Sequence, residues 1–91
     1  MSRTALPLTG AQIRAARALL RWSAEHLSQA SALGVATIRR AELTDSQTSL
    51  TAANDLAIRN ALEAAGIEFI PANGGGAGVR FRDPHRGPGP K

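Results

Sequence analysis

The sequence predicts a mainly α fold: four helices followed by a short C-terminal β-hairpin. Three observations predict it. Helix-start signals recur three times within the first 42 residues. An apolar stripe with helical spacing follows between positions 52 and 65, and after Gly66 the pattern changes to the period of two that strands show.

The first helix is announced by Thr9-Gly10-Ala11-Gln12, a capping box in which Thr9 accepts from a first-turn N–H and Gln12 reaches back. Leu8 and Ile13 flank that cap at the spacing of a hydrophobic staple. The helix runs to about Arg21, with Ile13, Ala16, Leu19 and Leu20 as its apolar stripe. Trp22-Ser23 repeats the device: Ser23 is a good N-cap, Trp22 and Leu27 carry the staple spacing, and this short second helix ends near Ala30-Ser31. Leu33-Gly34 repeats it again, with Gly34 as cap and Leu33 set against Ile38, for a third helix from about Val35 to Glu42. Leu27 and Ala30 on the second helix, with Ile38 and Ala41 on the third, are expected to point inward, as a crossed helix pair requires. That leaves Val35, Ala36, Thr37, Arg39 and Arg40 pointing outward.

Thr44 to Ser49 forms a polar, turn-forming linker. The fourth helix is capped by Ser49 or Thr51, carries the stripe Ile58, Ala61, Leu62 and Ala65, and closes on Gly66 as its C′ residue. Ile67 to Ile70 reads as a strand, Pro71 to Gly78 as a loop, and Val79 to Arg82 as a second strand alternating apolar and basic residues. A two-stranded hairpin is marginal alone, so it is expected to pack on the fourth helix or to pair with another chain. The stretch Asp83–Lys91, with three prolines and two glycines, is expected to be disordered. The chain thus divides into a helical domain over 6–66, a hairpin over 67–82 and a tail over 83–91.

The composition excludes several function classes. There is no cysteine, so neither a disulfide framework nor a thiolate metal site can form. His26 and His85 stand far apart, and no carboxylate spacing completes a metal site around either. No apolar run approaches the roughly 20 residues of a membrane span, and no long apolar segment follows the N-terminus, so a cytoplasmic location is expected. Gly74-Gly75-Gly76-Ala77-Gly78 lacks the Gly-Lys-Ser/Thr and the following helix that a phosphate-binding loop needs, and reads as a hairpin connection. Nothing places a nucleophile beside a base, so catalytic residues and cofactors are none. The net charge of +4 is unevenly spread: +5 over residues 1–40, −4 over 41–78 and +3 over 79–91. A basic first half suits a polyanion such as nucleic acid.

These residues resemble those of a known family. Trp22-Ser23, Glu25, Leu27, Ala36-Thr37-Ile38-Arg39-Arg40 and Glu42 closely resemble the Xre, or lambda-repressor-like, helix-turn-helix regulators of bacteria and their phages. Leu8-Thr9-Gly10-Ala11-Gln12-Ile13-Arg14-Ala15-Ala16-Arg17 looks like the first helix of that family. Thr51-Ala52-Ala53-Asn54, Ala57-Ile58-Arg59, the run Ala61 to Ile70, the glycine stretch and Gly78-Val79-Arg80 look like a subgroup of short members, so the resemblance spans about residues 6–82.

The resemblance implies a DNA-binding domain of four to five helices whose third helix lies in the major groove. Carried over by position, Val35, Ala36, Thr37 and Arg40 face base edges, while Ser23 and Arg39 sit nearer phosphates. Arg14, Arg17 and Arg21 of the first helix add electrostatic contacts. It further implies a transcriptional regulator, repressor or activator, acting on double-stranded DNA as a homodimer, with RNA polymerase as a possible protein partner. Phe69, Val79 and Phe81 of the hairpin are the candidate dimer contacts. A protein-interaction module, such as an antitoxin or adaptor that kept the fold, is the alternative. Two departures stand out. Ala32 occupies a place where the family usually has glycine; it either takes a positive φ, costing on the order of 1 kcal/mol, or the turn is re-registered by Gly34, which replaces the usual Ser or Thr cap. Ala24 replaces the Gln that commonly follows the Ser23 position, removing one phosphate contact.

Overall fold

A computed structural model describes residues 7–85 of the protein. It contains α1 (Gly10–Leu20), α2 (Ala24–Ser31), α3 (Val35–Ala41), α4 (Ala52–Ala64), β1 (Ile67–Ile70) and β2 (Gly78–Phe81). The part of the expected disordered tail from Arg86 onward lies outside the described residues. Its first residues form a turn, in which the His85 N–H donates to Asp83 Oδ1 at 2.9 Å.

Each helix begins where its side chains can satisfy the free N–H groups of a first turn. Thr9 and Gln12 form the full capping box on α1. Ser23 accepts from His26 N at 2.9 Å to cap α2. Thr51, rather than Ser49, accepts from Asn54 N at 3.1 Å to cap α4. Gly34 has no side chain to offer and caps α3 through its backbone alone, with φ −67° and ψ 147°. The connection is therefore not re-registered by Gly34. Ala32 takes the left-handed conformation, φ 63° and ψ 26°, and closes α2. Ser28 fixes this turn, its hydroxyl donating to Leu33 O and its carbonyl accepting from Leu33 N. Arg21 closes α1 in the same left-handed way, φ 58°, which the sequence pattern does not reveal.

The core is built from Leu8, Ile13, Ala16, Leu27, Ile38, Ile58, Leu62 and Ile67, with Leu19, Leu20, Trp22 and Leu33 packed against it. One expected inward position is corrected. Ala30 is exposed and Ser31 is buried in its place. The buried stripe of α2 is Ala24, Leu27 and Ser31, at spacings of three and four. Ser31 tolerates burial because its hydroxyl donates to Leu27 O at 2.7 Å, one turn back.

The linker after α3 is more than a turn. Gly10 N donates to Ser46 O at 3.0 Å and Thr48 N to Leu8 O at 3.2 Å, so Thr9 and Gln47 form an antiparallel bridge. This seats the start of α1 directly on the chain leaving α3. A β-carbon on Gly10 would stand 1.9 Å from Thr44 O and 2.7 Å from Ala41 O, both backbone atoms. Asp55 joins the same region to α4: its Oδ2 accepts from Leu8 N at 2.8 Å, which accounts for a carboxylate buried under the core.

β1 and β2 pair antiparallel, with Ile67 opposite Phe81, Glu68 opposite Arg80, Phe69 opposite Val79 and Ile70 opposite Gly78. The second strand thus starts one residue before the expected Val79. Arg82 stays attached through its N–H to Gly66 O at 2.8 Å. One face of the hairpin, Ile67, Phe69, Val79 and Phe81, packs on the core, with β1 against α4 and β2 against α1. Gln12 Nε2 donates to Gly78 O at 3.0 Å and ties the α1 cap to β2. Among the described residues no helix is long and apolar enough to cross a membrane.

Two substitutions test this arrangement by urea denaturation. Gly10→Ala should destabilise by about 3 kcal/mol, because backbone oxygens cannot move aside for the methyl group. Ala32→Gly should stabilise by about 1 kcal/mol, because it relieves the left-handed strain.

Candidate nucleic-acid interface

The site is built on α2 and α3, two short helices joined by Ala32-Leu33-Gly34. Ile38 and Ala41 hold α3 to the core from within. The opposite side carries Ala36, Arg39 and Arg40, all exposed, flanked by the half-buried Val35 and Thr37. Ala36 and Arg40 are one helical turn apart on the same side. Val35 packs in part against the core, which draws it back from the surface relative to Ala36. Ser23 stands exposed at the start of α2. Ala24, beside it, is buried, so its side chain is an anchor of α2.

The arginines divide into two groups. Arg17 serves the structure: Nε donates to Glu42 Oε2 at 2.8 Å, Nη2 to Glu42 Oε1 at 2.7 Å, and Nη1 to Trp22 O at 2.9 Å. The Arg17 and Glu42 side chains are only 22% and 9% exposed. Its hydrogen bonds to the Glu42 carboxylate, opposed by burial, raise the Arg17 pKa above its ordinary value. Arg14 is also committed inward, donating to Glu42 O at 2.6 Å and Thr44 O at 3.2 Å and pairing with Asp45. Arg14 thus directs its donors at the α3–α4 linker, and Arg17 at the C-cap of α3 and the carbonyl of Trp22, so both guanidinium groups expected near phosphates are engaged within the domain. Arg39 pairs with Glu25 across α2 and α3, both side chains 59% exposed. The Glu25 carboxyl is held below its ordinary pKa by a backbone N–H bond within the same residue and by the Arg39 charge. The side chains of Arg21 and Arg40 are exposed and make no hydrogen bond or ion pair among the described residues.

The charge count of the sequence could not separate these groups, because it tallies charges without pairing them. No helical spacing reveals the pairing, because Glu42 caps α3 and Asp45 lies in the linker beyond it. The structure adds Leu50, Thr51 and Asn54, which sequence reasoning left out of the site. Thr37 and Arg40 line a depression of about 170 Å³ with Leu50, Thr51 and Asn54, at the N-terminus of α4. Trp22 stacks on His26, ring centroids 4.2 Å apart and planes within 9°, and so stiffens the entry to α2.

The hairpin residues sit elsewhere. Phe69, Val79 and Phe81 turn toward the domain's own core and are half-buried there. Glu68 and Arg80 occupy the outer face and pair at 3.2 Å. A second cavity of about 550 Å³, lined by Gln12, Gln47, Arg59, Glu63, Glu68 and Phe69 among others, contains no α3 residue. Among the described residues no group of three or more His, Cys, Asp or Glu side chains is placed to hold a metal ion. No protein-family model matches the chain, and no curated protein matches it.

The Arg17–Glu42 pair is open to direct test. Glu42→Gln should destabilise by about 2 kcal/mol, since it leaves a half-buried guanidinium without its countercharge. Chemical denaturation of the two proteins side by side measures this. A change under about 0.5 kcal/mol would show that the pair does not fix α3.

Proposed function

We propose that this protein is a sequence-specific double-stranded DNA-binding regulator of transcription, a helix-turn-helix protein of the lambda-repressor-like kind that inserts α3 into the major groove. The observation that carries the reading is the outer side of α3: small at its start, ending in Arg39 and Arg40, and exposed while its other side is anchored in the core. A short helix presented in this way fits the groove, and an arginine can donate two bonds to guanine O6 and N7. Ala36 and Arg40 are the residues for base edges, with Thr37 beside them. Ser23, Arg21 and Arg39 are those for phosphate. The depression between Arg40 and the start of α4 offers a place for a further backbone phosphate, where free N–H groups favour an anion. The resemblance of residues 6–82 to the Xre family supports the same reading.

The regulator acts as a homodimer in this proposal. Its extents of 36 × 33 × 23 Å let two copies lie side by side with their third helices about one DNA turn, roughly 34 Å, apart. With Phe69, Val79 and Phe81 packed inward, the hairpin offers a second copy mainly its outer face, with Glu68 and Arg80.

A second reading, a protein-interaction module that kept the fold, draws on one observation. Leu43 and Leu56 are 84% and 54% exposed, large apolar side chains that a partner protein could cover.

Fluorescence anisotropy with labelled duplex DNA over a salt series tests the primary reading. Tight binding should weaken with salt, with each phosphate contact contributing a slope of about −0.9 in log K against log salt. Arg40→Ala should weaken binding to a selected operator by about 10-fold or more, in line with the loss of one bidentate base contact. Absence of binding at low salt would turn attention to protein partners.

A further inference from the structure

Glu25 is the one acidic residue of α2 and α3, and it pairs with Arg39. Glu25 belongs to the first turn of α2, the end of a helix where an anion is favoured. Its Oε2 holds the Nη2 of Arg39, which is exposed beside Arg40 on α3. A carboxylate in that position, against that guanidinium, does what a DNA phosphate would do. Both partners are 59% exposed, so the pair is open to exchange. Exposed pairs of this kind add little to folding, which leaves its effect on binding as its main physical consequence.

We infer that Glu25 is a resident phosphate surrogate: it neutralises Arg39 in the free protein, so Arg39 reaches a phosphate only by leaving Glu25. This rests on the DNA-binding reading above and identifies a residue that sets how readily the protein takes any polyanion. In the free protein the pair contributes no net charge to the interface, and counterion release from DNA has one fewer cation to draw on. Glu25 also stands to repel phosphates that approach the start of α2. Sequence-independent attraction is thereby lowered, while base contacts through Arg40 are untouched. The discrimination between operator and random DNA then depends on α3 seating deeply enough for Arg39 to change partners.

The test compares wild type, Glu25→Gln, Arg39→Ala and the Glu25→Gln/Arg39→Ala double variant, with far-UV circular dichroism to confirm folding. Each is titrated onto labelled random-sequence duplex DNA across a salt series. Glu25→Gln should bind random DNA about 3- to 10-fold tighter at low salt, and its log K against log salt should steepen by about 0.9. The steepening should disappear in the double variant, because it runs through Arg39. Equal or weaker binding by folded Glu25→Gln, or an unchanged slope, overturns the inference while leaving the DNA reading in place. Failure of the wild type to bind DNA at low salt overturns both.

Discussion

The Arg17 guanidinium ties together the three helices that form the candidate interface. From the last turn of α1 it grips both oxygens of Glu42 at the end of α3 and the carbonyl of Trp22 at the entry to α2. One planar group with donors in a fixed fork thus sets the relative placement of three helices. Arg14 extends the grip along the next segment, through the carbonyls of Glu42 and Thr44. Gly10 allows it, since any larger residue would push α1 off the backbone of Ala41 and Thr44. The polar side of α1 is therefore a clamp on the far end of α3, and the exposed side of α3 is presented by that clamp.

This arrangement suits a domain with a small core. Ile38 and Ala41 are the buried residues of the seven-residue α3, too few to hold so short a helix firmly through apolar burial alone. The half-buried ion pair supplies direction that apolar packing cannot. The hairpin contributes from the other side, closing the core with Ile67 and Phe69 and linking back to the α1 cap through Gln12.

Much of the fold was legible in the sequence, because helix starts depend on local chemistry. Thr9 with Gln12, Ser23 and Thr51 are side chains that satisfy N–H groups two or three residues on, and the pattern can be read without knowledge of the fold. What was hidden is tertiary. Ser31 replaces Ala30 inside because its hydroxyl finds a carbonyl one turn back, a bond that hydrophobic periodicity ignores. The bridge between Thr9 and Gln47 joins segments far apart in the chain, and nothing in the polar run 44–49 advertises it. The exposed side of α3 was legible. The roles of the arginines were not, since Arg14 and Arg17 look the same as Arg39 and Arg40 until their carboxylate partners are placed beside them.

The outer side of α3, presented by the Arg17 clamp, is the proposed DNA-binding surface. The most direct measurement is an NMR titration of the ¹⁵N-labelled protein with duplex DNA at low salt, followed amide by amide. Shifts concentrated at 23–26 and 34–40 are expected, with the hairpin loop 71–77 unmoved. Shifts centred on the hairpin or on Leu56, or none anywhere, would contradict it.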